Sequence, residues 1–297
     1  MTTIVCLGLA VQDMIFSLPK LPRGPGKLIA QDRLEVGGGV AATAAVAVAR
    51  LGGSASLITR LGDDVLGDGI VAELESYGVD MSQSRRFPGH RSPMSAVLVD
   101  SRGERLIVNH ADPDLPGETD WLAFDALDSA DAVLADPRWP EGAVALFRAA
   151  RKRGLPAVLD ADRAMENTSP IEAATHVVFS ADGLRGISGQ QDLDAGLHQL
   201  ALKTGGFLAV TDGANGVSWL ADDMINRMPG FDIDVVDTTG AGDVFHGAFA
   251  LALGEGRSEE EALHFASASA ALKCTQLGGR PGIPDRQTVD QFMRRTG

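Results

Sequence analysis

Cysteine is nearly absent from this chain: Cys6 and Cys274 are the only two in 297 residues, and they lie far apart in apolar surroundings. A disulfide framework is therefore not the organising principle, and a reducing cytoplasm is the expected setting. Basic residues are also short, 26 Lys and Arg against 40 Asp and Glu, a formal net charge of −14. Neutralising phosphates needs a basic surface, so no nucleic-acid partner is expected. Nowhere does an uninterrupted apolar run reach about 18 residues, so no membrane span is predicted. The apolar N-terminus lacks a basic region and is broken by Gln12 and Asp13, which argues against a signal sequence. His and Cys do not fall at zinc-ligand spacing, and the chain shows no internal repeat, low-complexity tract or linker.

What is present is a globular composition, 44% hydrophobic and 22% charged, with an excess of glycine, 35 residues. So much glycine without a Gly-X-Y period suggests tight turns or backbone brought close to a ligand. Apolar runs bounded by turn residues alternate with segments of helical period, the pattern of a mostly parallel sheet flanked by helices. Strands are predicted at 4–10, 56–59, 132–135, 157–159, 177–179 and 208–211. Helices are predicted at 41–51, 66–77, 143–153, 194–203, 244–253 and 259–274, the last opened by a Ser258/Glu261 capping box. Two stretches interrupt the alternation. Residues 12–35 carry three prolines and no helical period, and 92–110 read as two alternating strands around an Asp100-Ser101-Arg102-Gly103 turn. The expectation is a single α/β domain over 1–297 with these two segments forming a small β-sheet lid.

The densest chemistry lies at 237–247, Asp-Thr-Thr-Gly-Ala-Gly-Asp-Val-Phe-His-Gly, leading into an apolar helix. Gly240, Ala241 and Gly242 would converge backbone N–H groups where the helix begins, which makes an anion hole. Asp243 in the first turn beside it is placed to take a proton from a substrate hydroxyl, while the amides hold charge on a transferred phosphoryl. His246, one turn on, is expected to pack or bond near the site rather than act as base.

The spacing D-T-x-G-A-G-D-x-F-x-x-G resembles the signature of the PfkB/ribokinase family of sugar kinases, and the resemblance extends over nearly the whole chain. Gly38 and Gly39 resemble the family's sugar-contacting glycines, Leu51-Gly52 with Gly62-Asp63-Asp64 and Gly67 its N-terminal signature, and residues 278–284 its C-terminal segment. The resemblance implies a ribokinase-like fold, ATP and Mg²⁺, a homodimer joined through the lid, Asp243 as base, and Asp13 on sugar hydroxyls. Thr211, Gly213 and Gly216 look like the nucleotide-side Thr-x-Gly-x-x-Gly, with Lys273 also placed on the nucleotide side.

The chain departs from the family pattern at two points. Thr43 stands where the family has Asn, leaving a shorter sugar contact. Ser180-Ala181-Asp182-Gly183 replaces the Asn-x-x-Glu that organises magnesium, so Asp160 and Asp162, at a predicted strand end, become candidates for ordering Mg²⁺ waters. The strings at 35–52, 236–248 and 270–285 look most like the family's sulfofructose kinases, which phosphorylate O1 of 6-deoxy-6-sulfofructose. Lys27, Asn109 and Arg138 match that subgroup's sulfonate-reading positions, a chemistry that calls for cationic or amide donors. Arg33, Arg91 and Arg105 are further candidates. A kinase for a neutral ketose or a sugar acid, and a non-catalytic sugar or nucleotide sensor, remain alternatives.

Overall fold

A computed structural model describes residues 1–102 and 104–296. Nine strands form the central sheet, in the order Met224–Met228, Val217–Ala221, Phe207–Thr211, His176–Ser180, Ala157–Ala161, Ala132–Ala135, Thr3–Leu7, Ser54–Ile58, Val79–Asp80. The run from Phe207–Thr211 to Val79–Asp80 is parallel, and the other two strands close one edge as an antiparallel hairpin. Parallel strands buried on both faces need cover on both. Alternate residues serve alternate layers: Ile4 and Cys6 pack with Phe245, Phe249 and Phe265 on one side, Val5 and Leu7 with Trp139, Phe147 and Phe179 on the other.

Two helices on the first side bring their N-termini together. Val40–Arg50 is almost entirely alanine and valine and is buried along most of its length. Its small side chains admit Ala241–Gly254 at close range, and a Cβ on Gly247 would stand 2.5 Å from the carbonyl oxygen of Ala44. The glycine that ends the kinase-like motif is thus a packing residue.

A separate four-stranded sheet runs Asp32–Gly38, Val11–Leu18, Met94–Asp100, Arg105–His110. Its last two strands are the expected antiparallel hairpin, joined to the first pair by a parallel pairing. Of the turn expected at 100–103, Gly103 lies outside the described residues. The first strand stops at Leu7, short of Ala10, because the chain turns at Gly8 and Leu9 hands its N–H to Asp136. The strand order reverses between Thr3–Leu7 and Ala132–Ala135, the switch point beyond whose carboxyl ends open α/β sheets bind ligands. Among the described residues no helix is long and apolar enough to cross a membrane.

Candidate active site

The strand ends at the switch point are tied by one carboxylate. Asp136 is fully buried and accepts from the backbone N–H of Leu9 at 2.7 Å, Ala41 at 3.1 Å and Arg138 at 2.8 Å. It thereby fixes the loop after the first strand, the start of helix Val40–Arg50 and the loop carrying Arg138. Nothing in the local sequence marks it, since its three donors come from segments up to 127 residues away.

Helix Ala241–Gly254 begins at Gly240, whose backbone is left-handed (φ 76°). The anion hole expected at Gly240–Gly242 is refined in one respect. The Ala241 N–H donates to the Thr238 carbonyl at 3.1 Å and that of Val244 to Gly240 at 3.0 Å, whereas among the described residues those of Gly240, Gly242 and Asp243 meet no acceptor. The free donors are therefore Gly240, Gly242 and Asp243 itself. Burial, and next the Asp160 carboxylate, push the Asp243 carboxyl well above its ordinary range, against the pull of His246. A carboxyl raised in this way is a better proton acceptor.

The residues expected on the sugar side converge on that helix start. A Cβ on Gly38 would meet Asp13 Oδ2 at 2.4 Å, and one on Gly39 would meet the Leu9 carbonyl at 2.3 Å. Thr43 approaches Gly240, its Cγ2 3.5 Å from where a Cβ would stand, with Asp243 Oδ2 at 3.9 Å. Burial raises the Asp13 carboxyl, opposed by a hydrogen bond from Ser95. Arg280, 1% exposed, clamps the glycine loop from behind: it donates to the Gly38 carbonyl at 2.7 Å and pairs with Glu73 at 2.9 Å. The sequence places Arg280 in a family-like segment without showing that it points inward.

Two cavities open near this centre. One of about 490 Å³ is lined by Thr211, Gly213, Gly216, Ala241, Gly242 and Phe245, so the three residues expected on the nucleotide side lie beside the helix start. Lys273 is not among the lining residues. Its ammonium is wholly buried and donates to the Asp237 carbonyl at 2.9 Å, because an unpaired interior cation needs acceptors and the loop before the helix supplies them. The second cavity, about 480 Å³, sits outside the switch point between Gly8, Thr59, Trp139 and the small sheet.

Asn109 and Arg138 both line this second cavity, as do Arg60 and Arg163, which sequence reasoning did not single out. Arg60 stacks over Trp139 at 4.4 Å, a contact made across 79 positions and invisible locally. Lys27 is exposed, on the loop between the first two strands of the small sheet, and does not line either cavity. Arg105 instead reaches Thr239 at 3.3 Å, linking the small sheet to the loop before the anion hole.

The two acids expected to order magnesium waters are otherwise engaged. Arg138 grips both oxygens of Asp162. Asp160 is 1% exposed, and its close partner is His246 Nδ1 at 3.0 Å. Ser180, in place of the family's Asn, caps the next helix by accepting from Gly183 N–H at 2.9 Å, and Asp182 turns to Arg185. Among the described residues no group of three His, Cys, Asp or Glu side chains gathers to hold a metal ion. These residues do not fit a protein-held Mg²⁺.

A family model described as "pfkB family carbohydrate kinase" matches residues 1–286, and the chain belongs to that family. It is 28% identical over 297 residues to a ribokinase of Bacillus subtilis, covering 99% of this chain and 100% of that protein. A probable chloroplastic fructokinase-6 of Arabidopsis thaliana is 28% identical, with 98% of this chain and 82% of that protein covered. Among solved structures, a putative ribokinase from Agrobacterium tumefaciens superposes with a TM-score of 0.93 at 39% identity, covering 99% of this chain and 98% of that one. The Arabidopsis thaliana ribokinase complexed with ribose and ATP gives 0.87 at 25% identity, covering 99% and 98%.

Proposed function

We propose that this member of the pfkB family, an ATP-dependent carbohydrate kinase, phosphorylates a ketose that ends in an anion, with O1 of 6-deoxy-6-sulfofructose as the acceptor. The observation that carries the anionic end is the charge of the switch-point cavity. Arg60, Arg138 and Arg163 line it with Asn109, against one lining carboxylate, Asp112, which is already engaged by His90 and by the Arg91 N–H. In a chain of net charge −14 such a concentration of guanidinium is a selective feature.

In this reading Asp13 and the Gly38–Gly39 turn hold sugar hydroxyls, and Asp243 takes the proton of the attacking hydroxyl. The free N–H groups of Gly240, Gly242 and Asp243 receive the charge of the transferred phosphoryl. ATP lies along Thr211, Gly213 and Gly216, bringing Mg²⁺ on its own phosphates. The small sheet acts as a lid within one domain, excluding water so that ATP is not hydrolysed. Its outer strand exposes Leu106, Ile107 and Val108, which supports a second copy of the chain packing there.

A neutral ketose or ribose is the second reading, favoured by the Arg138–Asp162 pair, which occupies a guanidinium the anion would need, and by the position of Lys27 away from the cavity. Coupled ADP release on 6-deoxy-6-sulfofructose, fructose 6-phosphate, fructose and ribose decides between them. The proposal expects sulfofructose to lead, and Arg138→Ala and Lys27→Ala to lose sulfofructose turnover far more than fructose turnover. Equal losses on both sugars, or a preference for the neutral ones, would overturn it. Thermal stabilisation by sugar and nucleotide with no ADP formed would instead mark a sensor.

A further inference from the structure

His246 is 2% exposed and faces oxygen atoms from both ring nitrogens. Nδ1 lies 2.7 Å from the Gly242 carbonyl and 3.0 Å from Asp160 Oδ2, and Nε2 lies 3.1 Å from the Val178 carbonyl. A neutral imidazole has one N–H, so one nitrogen lone pair would be pressed against a carbonyl lone pair in the protein interior. Only the doubly protonated ring presents a proton to both carbonyls, and its charge then needs a counter-ion. Asp160 supplies it: neither of its buried oxygens meets a hydrogen-bond donor among the described residues, and His246 Nδ1 stands at ion-pair distance, 3.0 Å from Oδ2. Each member of the pair accounts for the other.

The position of the pair gives it a use. The Gly242 carbonyl belongs to the same peptide group as the Asp243 N–H, one of the three free donors at the helix start. Hydrogen bonds in chains polarise one another, by about 10–30% per bond. A cation donating to the Gly242 carbonyl therefore sharpens the positive end of the Asp243 N–H that faces the transferred group.

We infer that His246 is a positioning residue: a buried imidazolium, paired with Asp160, that holds the Gly242 carbonyl and polarises the Gly242–Asp243 peptide toward the anion hole. The neighbouring charges bear on both members: burial raises the Asp160 carboxyl, and His246 is the strongest of the groups that draw it back down. Burial alone would depress the imidazole, but the Asp160 carboxylate and the facing carbonyls carry it up to about 9. This inference rests on the kinase reading for its catalytic consequence and on geometry alone for its charge state, so the two are tested separately.

Imidazole ¹⁵N spectra of the full-length wild-type protein at pH 7.5 read the charge state directly. Both ring nitrogens protonated is the expected result, and one bare nitrogen overturns the inference whether or not any sugar is turned over. Kinetics read the consequence. His246→Gln alone strands Asp160 and is expected to unfold more readily, so the working variant is His246→Gln with Asp160→Asn, which removes both charges together. If a free donor in an anion hole is worth a hundred- to a thousandfold and its polarisation is about 10–30% of that effect, kcat should fall roughly two- to eightfold with KM for sugar and ATP unchanged. Wild-type kcat in a folded double variant would overturn the role, as would a loss confined to KM. A wild-type protein that releases no ADP with any sugar would sink the kinase reading and leave the charge state of His246, read from the spectra, unaffected.

Discussion

Replacing Gly39 by alanine tests the geometry on which the whole site depends. Gly39 precedes helix Val40–Arg50 with φ 96° and ψ 134°, a backbone state that side-chain-bearing residues rarely adopt. Holding alanine there costs about 1–3 kcal/mol in strain. The added Cβ would also stand 2.3 Å from the Leu9 carbonyl and 2.8 Å from Ala10 Cα. Both are main-chain atoms, so no side-chain rotation relieves the clash, and overpacking of this kind adds about 1–3 kcal/mol. Either the Leu9 loop or the helix must move by about 1 Å to restore ordinary contact, and the helix carries Thr43 against Gly240. A displacement of about 1 Å at reacting groups costs on the order of a hundredfold. The expectation for Gly39→Ala is therefore a stability loss of about 2–6 kcal/mol and a fall in kcat/KM on the order of a hundredfold. Two controls separate strain from displacement. Gly52→Ala has the strain (φ 86°) with open space around it, and Gly69→Ala sits with open space in helix Val65–Ser76. The former should lose about 1–2 kcal/mol with full activity, the latter gain about 0.5–1 kcal/mol. Urea unfolding and coupled ADP release measure all three. A Gly39→Ala protein as active as Gly52→Ala, within about threefold, would refute the argument.

Asp243→Asn should lower turnover by about a hundred- to ten-thousandfold with sugar and nucleotide binding retained; near-normal turnover would remove Asp243 from the base role. Because burial raises its carboxyl in the folded state, the folded protein holds that proton more tightly, and stability falls as pH rises from the ordinary carboxylate value to the raised one. The Asn variant should accordingly be more stable than wild type at pH 7, with the gain vanishing in acid, which denaturant titrations at the two pH values check. Lys273→Met leaves the Asp237 carbonyl without its donor and should cost about 1–3 kcal/mol, with weaker ATP binding because Cys274 and Thr238 on either side line the cavity proposed for the nucleotide. Ile107→Arg, on the exposed outer strand of the small sheet, should give a monomer by sedimentation if two copies meet there; an unchanged sedimentation coefficient would count against that interface.

What could be read in advance was whatever is local. The capping box at Ser258 and Glu261 fixes both reciprocal hydrogen bonds within four residues, and the helix there runs Glu259–Cys274 as expected. Helix Ala181–Ser188 escaped notice because Gly183 and Gly186 weaken its intrinsic propensity. Tertiary packing explains them: a Cβ on Gly183 would lie 2.2 Å from the Ala161 carbonyl. The hairpin of Val217–Ala221 and Met224–Met228 turns through Asp222 and Asp223 at φ 50° and 60°, a left-handed pair that two aspartates do not advertise. At the site, the glycines and Asp243 were legible because each needs only its own backbone. Arg138 was legible as a cation but not as Asp162's partner, since the pair joins the ends of two strands that neighbour each other only in the sheet.

Charge shows the same division between count and position. A total of −14 says that basic residues are scarce, but not which of them the fold draws inside. Among the described residues the buried basic side chains are His246, Lys273 and Arg280. Each donates to a main-chain carbonyl of a loop or helix turn that builds the site: Gly242, Asp237 and Gly38 respectively. Desolvating a cation is expensive, and a hydrophobic residue of similar size would often serve stability as well. What a cation adds is a directed bond to an oxygen whose orientation matters. Gly38 flanks the turn proposed to hold the sugar, Asp237 opens the loop before the proposed anion hole, and Gly242 shares its peptide with a free donor. Three costly groups aimed at these carbonyls are better explained by the orientation of the loops proposed for phosphoryl transfer than by core stability. Substituting each cation should therefore disturb kinetics more than an equally destabilising substitution in the apolar core, such as Phe147→Leu.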